Sequence, residues 1–104
     1  MLDLTLTNRV LSAVEAEAWG LVNRVVPEEE VAEATIALTQ QLADGAPNAA
    51  GTAKTVIYQG YESSLEEAGD FEAENIVRAA GTNDGKEGIA AFIERRDPNW
   101  TGNS

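Results

Sequence analysis

Apolar positions recur every three or four residues along much of the chain, which is the spacing of one face of an α-helix. One series starts at Val31 and ends at Leu42, and Gly45 closes it. A second series begins near Pro47 and reaches Tyr61. The last series predicts three large residues on the inward face of the final helix: Ile89, Phe92 and Ile93. This pattern predicts a chain that is mainly helical.

Capping residues divide this pattern into about five short helices. Ser12 and Ser64 each stand three residues before a glutamate, and this spacing is typical of a capping box at a helix start. Three glutamates follow Pro27, where their carboxylates would stabilise the positive end of the helix dipole. Gly20 offers a left-handed stop for the first helix, and the last helix is expected to start around Asp84.

One segment has a different pattern. Residues 21–26 read LVNRVV, which is rich in β-branched side chains, and Pro27 ends the run. This composition predicts one short extended segment, which we interpret as a strand. We expect residues 1–104 to form a single domain.

The amount of apolar side chain predicts a thin core. Leu, Val, Ile and Phe supply 23 of the 104 residues, close to the level below which highly charged chains tend to stay disordered. Alanine supplies 17 more positions, but each alanine buries little surface. We therefore expect some apolar faces to be completed by another chain or by a separate core domain.

Charge and residue usage exclude several functions. The net charge of −11 argues against nucleic acid and anionic membranes as partners, because both require clustered Lys and Arg. A solvated acidic surface or a salt-adapted source would explain this charge. Without Cys or His the chain forms no disulfide, thiol nucleophile or Cys/His metal site. No leader or membrane-length apolar run is evident, and we expect a cytoplasmic protein.

Few residues suggest chemistry. Glu72 falls inside an apolar helical arc, where a carboxylate must be paired or hydrogen-bonded; a catalytic role is the alternative. Residues 81–86 only loosely resemble a phosphate loop, and we interpret them as a helix-initiating turn. Arg95 and Arg96 suit the negative end of the last helix dipole, and two adjacent arginines would also receive a phosphate.

Several segments occur in the order and spacing of a known protein-family pattern. Residues 6–27 read LTNRVLSAVEAEAWGLVNRVVP, close to the family pattern, with Asn8 in place of the usual glycine. Both residue types tolerate a left-handed backbone. Residues 53–54 match the third helix of the family, residues 64–72 read SLEEAGDFE, and residues 84–96 read DGKEGIAAFIERR. Together these segments resemble the crotonase family, which is the enoyl-CoA hydratase/isomerase family, over nearly the whole chain.

The resemblance implies a C-terminal, mostly helical region that packs on an N-terminal ββα spiral core. In the family, the oxyanion-binding amides and the catalytic glutamates lie upstream of the position matching Leu4. The resemblance therefore implies that this chain alone is inactive, and it assigns no catalytic or metal-binding residue. It implies no cofactor, with a coenzyme A thioester as substrate. The positions that match a CoA contact are Phe92, beside the adenine, and Arg95, near the ribose phosphate.

Two functions follow as hypotheses. The first is a C-terminal region for oligomerisation and for covering the CoA site of a hydratase or isomerase of fatty acid metabolism. Its partners would be other copies of the chain or a crotonase core domain, with acyl-CoA bound in the complete protein. The second is a free-standing acidic helical interaction module with no acyl-CoA role.

Overall fold

A computed structural model describes residues 1–103, which are mainly helical and contain no strand. Six α-helices and one 3₁₀ turn follow in chain order. They are α1 (Leu2–Thr7), α2 (Ala13–Ala18), the 3₁₀ turn Glu28–Glu30, α3 (Val31–Ala43), α4 (Pro47–Tyr61), α5 (Leu65–Gly81) and α6 (Asn83–Glu94). The chain divides into two compact units, Met1–Ala37 and the part from Leu38 onward, so the boundary falls inside α3. That the whole chain forms one domain stays a prediction.

The expected mainly helical fold is confirmed, with one helix more than the sequence predicted. The five predicted helices correspond to α2 through α6. The additional helix, α1, has the alternating sequence LDLTLT, which lacks the three-and-four spacing of the others. Its threonine hydroxyls donate to backbone carbonyls four residues earlier, Thr5 to Met1 and Thr7 to Asp3. Asn8 ends α1 with a φ of 51°, so it adopts the left-handed backbone that glycine would supply.

Both capping boxes are present. The Ser12 hydroxyl accepts from the Glu15 amide at 3.2 Å, and the Glu15 carboxylate accepts from the Ser12 amide at 3.3 Å. Ser64 and Glu67 make the same pair of bonds at 3.2 and 3.0 Å. Each serine amide holds the pKa of its glutamate below the ordinary value, because the hydrogen bond favours the ionised carboxylate.

The interpretation of residues 21–26 as a strand is wrong. No partner strand exists among residues 1–103, so these residues form a non-helical segment outside any sheet. The segment begins in the C-terminal cap of α2. Gly20 has a φ of 74° and its amide donates to the Glu17 carbonyl at 3.0 Å, while the Leu21 amide donates to Ala16 at 2.9 Å. This pair of bonds is a Schellman motif, and it confirms Gly20 as the helix stop.

In the unit from Leu38 onward, α4 packs against α5, and α5 packs against α6. The turn between α5 and α6 is the helix-initiating turn that the sequence predicted. The Thr82 hydroxyl caps α6 by accepting from the Gly85 amide at 2.9 Å. A Cβ atom at Gly85 would lie only 2.1 Å from the Ala79 carbonyl oxygen, so this turn requires glycine.

The core is as thin as the composition predicted. Ala91 is the buried apolar residue of the described chain, and no large side chain is fully buried. The prediction that Ile89, Phe92 and Ile93 face inward is wrong, because all three are exposed. Helical spacing places residues on one face, but burial also needs a partner surface, and within the described residues none covers this face of α6. Large exposed apolar side chains on one molecule are typical of a contact surface.

Candidate functional site

An open groove of about 920 Å³ is bounded by α4, α5, α6 and the segment after α6. The residues that line it come from α4, from the C-terminal half of α5, from α6 and from the segment after α6. Its larger and polar lining residues include Asn75, Arg78, Asp84, Ile89, Phe92 and Trp100. The groove joins apolar walls to a few polar groups, a combination common in sites that bind small molecules.

Phe92, one of the two residues matched to a CoA contact, lines this groove from α6. Its side chain is 86% exposed, so nothing in the described chain covers the ring. A free aromatic face stacks favourably on a planar ring such as adenine. The position therefore provides a stacking surface that the fold itself does not use.

Arg95, the second matched residue, ends α6 in the left-handed conformation, with a φ of 55°. Its amide donates to the Phe92 carbonyl at 3.3 Å, which closes the helix. The Arg95 side chain is exposed and makes no hydrogen bond or ion pair within residues 1–103. It does not line the groove. Its guanidinium group is therefore free to meet an anion.

Arg96 is engaged, in contrast to its neighbour. Its guanidinium group binds both carboxylate oxygens of Glu87, at 2.5 and 3.0 Å, and Glu94 at 2.5 Å. The hydrogen bonds from Arg96, together with one from the Asn99 amide, lower the pKa of Glu87 to about 2. The same ion pairs raise the pKa of Arg96. The guanidinium group of Arg96 is thus occupied by ion pairs within the chain, whereas that of Arg95 is available to bind a phosphate.

Asp84 is the residue whose role the sequence pattern missed. It lies in the first turn of α6 and is only 4% exposed. Its carboxylate accepts from the Thr101 amide at 2.9 Å, the Thr101 hydroxyl at 3.0 Å and the Gly102 amide at 2.8 Å. The bond from the Thr101 amide is the main reason why the pKa of Asp84 is lowered. The D-x-x-E spacing to Glu87 placed both carboxylates on one face of α6, but their partners lie farther along the chain.

Glu72 is not the buried, paired carboxylate that the sequence predicted. It is exposed and has no hydrogen bond or ion pair in the part of the chain that is described. It lines a smaller cavity between α4 and α5, where the neighbouring side chains include Ile57 and Ile76. Among residues 1–103 no other acid or base lines that cavity, so Glu72 has no partner for proton transfer there.

Residues 1–103 contain no cluster of acidic side chains arranged to hold a metal ion. Over the same residues, no helix has the length and apolar character needed to cross a membrane.

Comparison with known proteins assigns the chain to a family. The family model for enoyl-CoA hydratase/isomerase matches residues 2–103. A probable enoyl-CoA hydratase of Mycobacterium tuberculosis is 40% identical over 100 residues, covering 96% of this chain and 39% of the relative. A carnitinyl-CoA dehydratase of Salmonella typhimurium is 36% identical over 104 residues, covering 96% of this chain and 40% of the relative.

Solved structures agree with the sequence comparison. An enoyl-CoA hydratase of Geobacillus kaustophilus superposes with a TM-score of 0.91 at 38% identity, covering 97% of this chain and 39% of that one. The enoyl-CoA hydratase of Bacillus anthracis gives a TM-score of 0.88 at 34% identity with the same coverage. The chain thus spans about two fifths of the length of the proteins it matches. Its sequence and its helical fold both show that the chain belongs to the enoyl-CoA hydratase/isomerase family.

Proposed function

We propose that this chain is the C-terminal helical region of an enoyl-CoA hydratase/isomerase-family protein and that it covers the CoA part of an acyl-CoA thioester. The observation that carries the proposal is the contrast between two adjacent arginines. Arg96 is held by Glu87 and Glu94, whereas Arg95 is free, three positions beyond the uncovered ring of Phe92. A free aromatic ring and a free guanidinium group suit a nucleotide with a phosphate.

The C-terminal position is supported by the order of the matched segments. Residues 6–27 correspond to a pattern that precedes the helical segments in the family, and residues 84–96 correspond to its ending. The helical character of residues 1–103 agrees with this placement. In the complete protein, the spiral core would supply the backbone amides that stabilise the thioester oxyanion and the carboxylates that move protons.

The proposed partners are a crotonase core domain and further copies of the chain, in the cytoplasm. Support comes from the exposed apolar residues of α6, since a face carrying Ile89, Phe92 and Ile93 is costly to leave in water. The hydratase, isomerase and dehydratase relatives share a CoA thioester as ligand. We propose this ligand for the complete protein and no particular reaction.

Affinity for CoA tests the proposal. The binding protein should be a chimera in which this chain replaces the matching region of the Geobacillus kaustophilus relative, with calorimetry of CoA and of 3′-dephospho-CoA. We expect Arg95→Ala to weaken CoA binding by up to about fivefold, because one exposed charge pair contributes at most about 1 kcal/mol. The variant should leave 3′-dephospho-CoA binding unchanged, since that ligand lacks the phosphate.

Two results would count against the proposal. Equal losses for CoA and 3′-dephospho-CoA would mean that Arg95 does not meet the ribose phosphate. No effect of Phe92→Ala on either ligand would remove the stacking role.

The isolated chain should bind CoA weakly and should not hydrate crotonyl-CoA. Turnover by the purified chain that is lost in Glu72→Gln would favour catalysis by this chain itself.

The second candidate is an acidic helical interaction module with no acyl-CoA role. The exposed apolar residues would serve it equally well, because they indicate a contact surface without specifying the partner. A chimera that folds and oligomerises but does not bind CoA would favour this alternative.

A further inference from the structure

The segment after α6 folds back onto the beginnings of two helices. We call residues 97–103 the strap. The Asn99 amide donates to Glu87 at 2.8 Å, and the Gly102 amide donates to Asp84 at 2.8 Å. On the other side of the strap, the Asn48 side-chain amide donates to the Gly102 carbonyl at 2.8 Å. Gly102 therefore joins the first turn of α4 to the first turn of α6.

This junction completes a three-helix arrangement. α4 packs against α5 and α5 against α6, so α5 holds the two outer helices from one side. The strap holds them from another side, through residues far apart in sequence. Gly102 also has a left-handed φ of 73°, and a Cβ atom there would lie 3.2 Å from Pro47 Cγ. The strap is therefore fitted closely against the start of α4.

Trp100 makes the strap part of the groove. The indole lines the groove and lies over Gly88, where a Cβ atom would be 2.9 Å from the ring. The strap thus closes one side of the groove with an aromatic ring and links two of the helices that bound it.

The bonds that join the strap to Asp84 and to Asn48 are partly buried. The strap itself is non-helical, so breaking these bonds unwinds no helix. When the strap leaves, Asp84 faces water at the start of α6, where a carboxylate remains favourable to the helix dipole. Release therefore leaves no buried charge without a partner.

We propose that the strap is a tie, which sets the separation of α4 and α6 and thereby the width of the groove. With the strap in place, the groove has a volume of about 920 Å³ and Trp100 is part of its lining. When the strap bonds are broken, the packing of α4 and of α6 against α5 remains, and the groove widens. This role does not depend on CoA as the ligand.

Asp84→Asn tests the tie, because it keeps the side-chain size but replaces one acceptor oxygen with a donor that faces the strap amides. Asp70→Asn is the matched control, since Asp70 is exposed on α5 and has no bond to the strap. The chain has no cysteine, so Ala50→Cys with Lys86→Cys places two spin labels unambiguously, at exposed sites on α4 and α6. The distance distribution between these labels reports the width.

Two further measurements follow the strap itself. In a Trp19→Phe background Trp100 is the only tryptophan, and its quenching by acrylamide reports release. Hydrogen exchange at the Thr101 and Gly102 amides reports the loss of the Asp84 bonds. We expect Asp84→Asn to speed this exchange at least about tenfold, to increase quenching and to broaden the label distances, while Asp70→Asn changes none of them.

The result that would overturn the proposal is a strap whose amides exchange freely while the label distances stay as narrow as in the parent. Equal loss of protection in the middle of α5 would also overturn it, because the strap would then be part of the core. If Asp84→Asn does not fold, Asn48→Ala supplies the test. It removes only the bond to Gly102 and should broaden the distances with Asp84 intact; unchanged distances would again reject the tie.

Discussion

Replacing Gly88 with alanine has two opposing effects on the free energy of unfolding, a gain in helix propensity and a steric clash with Trp100. Gly88 lies inside α6, where alanine is favoured over glycine by about 1 kcal/mol. The new Cβ would lie 2.9 Å from Trp100 Cη2 and 3.3 Å from Cζ3. Two carbon atoms prefer a separation of about 3.5 to 4.0 Å, so the indole has to retreat by roughly 0.6 Å or more.

The expected outcome is a net loss of stability. Overpacking a fixed side chain costs about 1 to 3 kcal/mol, which cancels or exceeds the helix-propensity gain. We therefore expect the free energy of unfolding of Gly88→Ala to fall by about 0 to 2 kcal/mol relative to the parent. The assay is urea unfolding followed by far-UV circular dichroism.

Gly69→Ala is the matched control. Gly69 lies inside α5, and a Cβ atom there would meet nothing within 4 Å. This variant should gain about 1 kcal/mol, or about 4 to 8 °C in melting temperature. In a Trp100→Ala background, Gly88→Ala should raise the free energy of unfolding by about 1 kcal/mol, the same gain that Gly69→Ala gives in the parent. Equal stabilisation by the two single glycine variants would refute the contact between Trp100 and α6.

Four further predictions concern other parts of the chain. Arg95→Gly should raise the free energy of unfolding by about 1 kcal/mol in urea titrations, because glycine relieves the left-handed backbone. Ser64→Ala should lower it by about 1 kcal/mol through loss of the cap of α5, measured by the same titration. Because the pKa of Glu87 falls from 4.5 to about 2 on folding, its stabilising effect is complete above pH 4.5 and lost towards pH 2; thermal melts should show a smaller acid loss for Glu87→Gln. Added salt should raise the melting temperature, since a net charge of −11 opposes compaction, and a flat response would reject that reasoning.

Local signals explain what the sequence predicted correctly. Ser12 and Ser64 specify helix starts through partners three residues away, so both capping boxes were predictable. Gly20 specifies the end of α2 because glycine adopts a positive φ without steric cost. By contrast, α1 was missed because its alternating sequence has no helical periodicity.

Non-local contacts explain what could not be predicted. Burial of Phe92 required a partner surface, and periodicity indicates a face without saying whether anything covers it. The sequence predicted Asp84 only as a residue at a helix start, whereas its carboxylate oxygens accept hydrogen bonds from Thr101 and Gly102. Arg96 is paired and Arg95 is free because of where the carboxylates of Glu87 and Glu94 lie, and the sequence alone does not specify these positions.

The long sequence separation of the strap bonds has a consequence for the order of folding. Each capping box closes over three residues, and the main helix contacts, α4 with α5 and α5 with α6, join neighbours in sequence, so these interactions form early and at small entropic cost. The bond between Asn48 and Gly102 spans 54 positions and gains nothing until the intervening helices are in place. Strap docking should therefore be the final step on the folding pathway, and the strap bonds should be the first to break on unfolding. In kinetic terms, substitutions at Asn48 should accelerate unfolding and leave the refolding rate unchanged.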